Sequence, residues 1–300
     1  DKILSTTISE ILKKEGYITS FISSIPKLTP LNGFDKGFDR CVIAPFRDAN
    51  FVINEAIEQL DSFDSNQYLF LGMFDIHEAN EIQSISTQIN NDLENFNYRT
   101  ISTKNPLTPL FDEERIKRYQ NSLKHFDSKL ERLFKRIDDY DERATVILHS
   151  DHGVDFITKN SHRLSKERQK VALMCKGSNV KTGIEEKIRE IREVPSLILN
   201  ASKINNNLNY RMDGYAITES IYPNQDYELA LRDDEYVLFF SVPWKFIKEK
   251  NSECFEYKTS FYEMVDESTI IESNSNFEEM LNFSKNHYKD LINNLKISNR

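Results

Sequence analysis

Short uninterrupted apolar runs alternate along this chain with stretches in which apolar residues recur every three or four positions, the pattern of buried strands between surface helices. Ser5 or Thr6 can cap a helix over residues 6–14, with Ile8, Ile11 and Leu12 on one stripe. Gly16 ends it, and residues 17–21 read as a strand. Residues 31–39 hold two glycines and predict a loop, and residues 49–60 a helix. Residues 68–74 are a continuous apolar strand that delivers Asp75, Ile76 and His77 at its end. Pro106 and Pro109 mark a loop. Over 114–138, Ile116, Tyr119, Leu123, Phe126, Leu130, Leu133 and Phe134 fall on one face of a long amphipathic helix. It leads into a strand over 144–148; 171–175 is another short strand, and 186–202 reads as mainly helical with a kink at Pro195.

From residue 227 the texture changes. Residues 227–232 and 236–241 flank Asp233-Asp234-Glu235 as a hairpin, and 277–295 closes the chain as an amphipathic helix. The expected architecture is α/β: a mostly parallel sheet flanked by helices over 1–224, then a small antiparallel α+β unit of sheet plus helix over 225–300.

With 300 residues the chain can bury a substantial core. Its net charge of -9 argues against a nucleic-acid groove, which requires a basic stripe. No apolar run approaches the roughly 20 residues of a membrane span. Cys41, Cys175 and Cys254 are widely separated and in no metal-ligand spacing; their odd number argues against a disulfide framework and leaves the compartment open. The chain begins with Asp1 and shows no signal-like segment, so a preceding stretch is expected to have been removed.

The chemistry concentrates at Ser150-Asp151-His152-Gly153, directly after the 144–148 run. Asp151 offers a hard anionic oxygen and His152 a borderline nitrogen, a pair suited to a divalent metal, while Gly153 would allow a sharp turn. Such a group falls at the carboxyl end of a strand, where open α/β sheets bind ligands. A plain turn with an idle His152 is the competing reading. His77 also ends a strand, where a lone histidine is often structural. His162 lies among Arg163, Lys166, Arg168 and Lys170, and such a run is often only a solvated surface. His149 is expected to face away from the motif; His125 and His287 sit on helices and look incidental.

In order, these pieces resemble the sulfatase family of the alkaline-phosphatase-like superfamily. Ile8 through Tyr17 resembles its helix leading to a "GY-T" strand, and Gly33-Phe-Asp-Lys-Gly-Phe-Asp39 its "GFD-GFD" loop. Tyr68 through His77 resembles the strand ending in aspartate-x-histidine, and Phe126 through Leu130 lies where the family has a long helix before its Ser-Asp-His-Gly strand end. Leu231 through Tyr236 and Phe261 through Met264 are similar to its C-terminal hairpin and a following segment. The resemblance implies a metal-dependent hydrolase of sulfate esters, with Asp151 and His152 as ligands of one divalent ion (Ca, Mn, Zn or Mg) and a second ion left open. It implies that His77 contacts the sulfate or phosphate oxygens or joins a second metal site. It further implies that His162 and Lys166, with Lys159 as a competitor for Lys166, stabilise charge on the transferring group and the leaving oxygen.

The implied substrate is a small anionic sulfate or phosphate ester, with a glycan or lipid head group open. Two alternatives stand beside it: a phosphoester hydrolase or phosphoryl-group transferase of the same superfamily, which a histidine after Asp151 also suits, and an inactive sulfatase-like binding or scaffold protein. The family's two further metal-binding aspartates and its nucleophile, in Cys/Ser-x-Pro-x-Arg, would lie ahead of Thr6. The chain is therefore expected to be the C-terminal portion of an enzyme, to work with a partner chain, or to be inactive. Cys41 through Arg47 echoes the nucleophile motif, but Ile43 holds the slot two before Pro45, and the segment follows the Gly33–Asp39 loop. Cys41 is rejected as nucleophile.

Overall fold

The computed structural model describes residues 6–77, 113–154, 164–178, 180–205, 214–222, 224–252, 256–264, 269–271 and 274–297. The chain divides into two compact units. One comprises Asp1–Val146 with Cys175–Val180 and Leu199–Asn205; the other comprises Ile147–Met174, Lys181–Ile198 and Asn206–Arg300.

In the first unit, α1 (Ile8–Lys14) is capped by Thr7, whose hydroxyl accepts from the Glu10 amide while Glu10 reaches back to the Thr7 amide. Strand β1 (Ile18–Ser23) is almost wholly buried and lies between β2 (Arg40–Ile43) and β3 (Gln67–Gly72), parallel to both. Helix α2 (Ala49–Ser62) starts at the Asp48 cap and buries Val52, Ile53, Ala56 and Leu60 on its inner face. It packs against β1, β3 and α3 (Glu113–Tyr140), whose Leu130 and Leu133 are buried. The Tyr140 hydroxyl donates to the Ser65 carbonyl at 2.6 Å and pins the far end of α3 to the loop before β3.

The Gly33–Asp39 loop is a clamp between α1 and β1. The Lys36 carbonyl accepts from the Ser9 hydroxyl at 2.7 Å, the Gly37 carbonyl from the Thr19 hydroxyl at 2.9 Å, and Asp39 Oδ2 from the Thr19 amide at 3.0 Å. Gly37 has φ +85, and a Cβ there would lie 2.6 Å from the Glu10 nitrogen, so only glycine fits. Lys13, with the Thr19 amide next in importance, holds the Asp39 carboxyl below its usual pKa.

Strands β4 (Val146–His149) and β5 (Leu173–Lys176) form a separate two-stranded sheet among the described residues. The parallel sheet is thus three strands wide there, narrower than the apolar runs implied. In the second unit, β6 (Ala216–Ser220), β7 (Tyr227–Arg232), β8 (Tyr236–Val242) and β9 (Lys258–Glu263) make an antiparallel sheet in sequence order. Its core joins Leu229, Leu231, Leu238, Phe240 and Phe261 to Met280, Tyr288 and Ile292 of the helix Ser275–Ile297. The hairpin turn rests on Asp233, whose Oδ1 accepts from the Glu235 and Tyr236 amides at 2.8 and 2.7 Å.

Two differences from the sequence-based expectation stand out. The antiparallel sheet begins at Ala216, ahead of the boundary expected at residue 225. Residues 186–190 are not helical; a 3-10 turn, Ile191–Glu193, leads into a helix at Val194–Ala201, with Pro195 in its first turn instead of at a kink. Glu190 is 8% exposed and uses its carboxylate to accept from the Ile217 amide and from Arg192, which holds this stretch extended.

Candidate active site

Strand β4 ends in the Ser150–Gly153 turn. The Ser150 amide donates to the Ala172 carbonyl, and the Ala172 amide donates back to the Ser150 hydroxyl, both at 3.2 Å. Beyond that tie, Asp151 Oδ1 accepts from the His152 amide at 2.9 Å. His152 Nδ1 faces the Gly153 carbonyl at 2.9 Å. Only a protonated Nδ1 can bond a carbonyl, so the neutral ring presents a lone pair at Nε2. That Nε2 lies 3.8 Å from Asp151 Oδ2, and the two side chains are 50% and 87% exposed.

A hard oxygen and a borderline nitrogen, side by side and accessible, fit two positions of a divalent cation's shell. Among the described residues, no group of three His, Cys, Asp or Glu side chains completes it.

Gly153 is needed for a different reason from the one the sequence offered. Its amide donates to the Arg168 carbonyl at 2.6 Å, and a Cβ would fall 2.1 Å from the Glu167 carbonyl oxygen. Close backbone approach, more than a turn conformation, excludes every other residue. The short helix it meets, Lys166–Gln169, is opened by Ser165 and carries the half-buried Lys166. The buried Arg232 of β7 donates from Nη2 to the Leu164 carbonyl just ahead of that helix, and its guanidinium lies 5.5 Å from the Phe239 ring centre. Asp151, His152 and Lys166 therefore stand on segments tied together inside the second unit.

His77 belongs to the first unit. It closes a turn after β3, with its amide donating to the Phe74 carbonyl at 3.1 Å and its exposed ring stacked on Phe74 at 4.4 Å. His162 and Lys159 lie outside the described residues. Burial, then the nearby Asp35 charge, pushes the Cys41 thiol pKa up, which disfavours the thiolate a nucleophile needs.

Neighbours of His77 that spacing alone did not single out are Asp75 and Lys129, paired at 3.0 Å with side chains only 13% and 11% exposed. Asp75 Oδ2 is buried without a hydrogen-bond partner among the described residues. The amphipathic period of α3 places Lys129 on a flank and says nothing of a carboxylate 54 positions earlier.

Neither a family model nor a curated protein matches the sequence. Solved structures do. A candidate sulfatase from Bacteroides thetaiotaomicron aligns over 97% of this chain and 75% of its own, with a TM-score of 0.58 at 14% identity. A candidate sulfatase from Bacteroides fragilis aligns over 93% and 75%, with a TM-score of 0.57 at 12% identity. The chain has a sulfatase-like fold. At such identities the likeness concerns the path of the backbone, and function has to be argued from side chains. No helix among the described residues is long and apolar enough to cross a membrane.

Proposed function

We propose that the chain serves a metal-dependent hydrolysis of sulfate esters, with Asp151 and His152 supplying two ligands to a divalent cation. One observation carries this reading: a carboxylate and an imidazole lone pair, 3.8 Å apart and open to solvent, end a strand of a sulfatase-like fold. A divalent cation held there (Ca, Mn, Zn or Mg) would polarise the ester oxygens and lower the pKa of a nucleophile. The Nδ1–H of His152, fixed on the Gly153 carbonyl, keeps Nε2 deprotonated and aimed beside Asp151. His77 would donate a hydrogen bond to the non-bridging oxygens of the ester. The Lys166 ammonium, and His162 in the segment ahead of it, would offset charge on the departing oxygen.

Elemental analysis of the purified protein, with the variants Asp151→Ala and His152→Ala, tests the site. Bound divalent metal should fall from near-stoichiometric to background in both; unchanged stoichiometry removes the two residues from consideration. Parallel assays with 4-nitrophenyl sulfate and 4-nitrophenyl phosphate then separate sulfate from phosphate ester chemistry. Metal binding without turnover of either ester would place the chain among non-catalytic relatives.

A further inference from the structure

The carboxyl ends of β1, β2 and β3 carry a feature the proposed chemistry leaves unused. Phe46 adopts φ +63, a left-handed conformation that is a genuine outlier for a bulky residue. Hydrogen bonds hold it there: the Ala44 amide donates to the Ser23 carbonyl at 2.9 Å, and the Phe46 amide to the Ser24 carbonyl at 3.0 Å. The residue so constrained is 61% exposed. A strained backbone that presents a large apolar ring to water opposes folding twice over, and such outliers gather where function requires them.

The ring does not stand alone. Phe46 meets Phe74 edge to face at 5.7 Å, and Phe74 stacks on His77 at 4.4 Å. Phe74 is fixed from below, its amide donating to the buried Ser24 hydroxyl at 3.2 Å. Polar groups rim the rings on one flank: Asp48 accepts from Asn50 at 2.9 Å, and Lys129 bridges Asp48 and Asp75 at 3.5 and 3.0 Å. Flat apolar faces beside oriented hydrogen-bonding groups are the composition of a small-molecule subsite.

We propose that Phe46 and Phe74 form a shelf for a six-membered ring, the organic part of an anionic ester whose charged group lies toward His77. The placement of the anion rests on the ester-hydrolase reading above; the shelf itself does not. The ring can be that of an aryl ester or the C–H face of a pyranose, and both present the same flat apolar surface.

The deciding variant is Phe46→Gly, because glycine suits the left-handed backbone while deleting the ring. Its melting temperature should stay level or rise. Binding is measured by calorimetry or ligand-observed NMR on the full chain, with phenyl sulfate, glucose 6-sulfate and ring-less methyl sulfate. One or both ring-bearing sulfates should bind the wild type about three- to ten-fold tighter than methyl sulfate. Phe46→Gly should abolish that advantage and leave methyl sulfate unchanged. The ring-bearing ligand that loses affinity identifies the source as aryl or sugar.

Equal affinities in the wild type, or an advantage that survives in Phe46→Gly, overturns the shelf. So does a clear fall in melting temperature, which would make Phe46 a packing residue. If phenol or methyl glucoside binds in a Phe46-dependent way while the sulfates gain nothing from their charge, the shelf stands and the sulfate-ester reading falls.

Discussion

Asp39 shows how a residue from a recognisable motif can serve structure instead of chemistry. Its carboxylate accepts from the Thr19 amide and pairs with Lys13, so its folded pKa lies below the unfolded value. A depressed carboxylate contributes stability that is present above the unfolded pKa and lost as pH falls through the folded one. Asp39→Asn should therefore cost about 1 kcal/mol at neutral pH, a modest figure because the pair is partly exposed. It should also flatten the decline in stability between about pH 5 and 3. Urea midpoints measured across that range check both; identical slopes in wild type and variant would refute the coupling. The glycines of the loop and of the Asp151 turn were visible in the sequence. Their reasons were not, since the atoms that exclude a Cβ belong to Glu10 in one case and Glu167 in the other.

At the scale of elements, periodicity located β1, α2, β3, α3, the Tyr227–Val242 hairpin and the last helix within a few residues. It failed over 186–190, where Glu190 trades a helical conformation for hydrogen bonds to β6 and Arg192. Nothing in a local window announces that exchange. The same holds for the tie between the C-terminal sheet and the proposed metal-binding turn, which runs from Arg232 to Leu164, through the helix Lys166–Gln169, to Gly153. Arg232→Met leaves the Leu164 carbonyl without this donor, a loss of about 1–3 kcal/mol. Hydrogen exchange should speed up at the Gly153 amide, which donates to Arg168, while protection in β7 and β8 is retained. Unaltered exchange at Gly153 would show that the turn is held independently of the C-terminal sheet.

For the whole molecule, the sulfatase-like fold makes a metal-loaded state a thermodynamic question. A cation that binds the folded chain through Asp151 and His152 and ignores the unfolded one stabilises it by about 2.7 kcal/mol at a hundred times its dissociation constant. Titrating Ca, Mn, Zn and Mg separately should raise the melting temperature of the wild type for the metal that fits, and leave Asp151→Ala unmoved. A common shift in both proteins would reflect unspecific binding to a chain of net charge -9. The Cys41–Arg47 stretch, rejected as a nucleophile on spacing, belongs at this scale too. Folding turns its Phe46 outward at the end of the parallel sheet and leaves Cys41 with a raised pKa.

By itself the sequence determined the kinds of element, their order, the hairpin turn and the adjacency of Asp151 and His152, because each is written within a handful of neighbouring residues. Tertiary structure alone decided the division into separate sheets, the clamp on α1, the burial of Arg232 and the Asp75–Lys129 pair. It also decided the strained, outward ring of Phe46. These depend on backbone groups and charges brought together from distant positions, and hydrophobic periodicity carries no record of which polar partner a buried atom will meet.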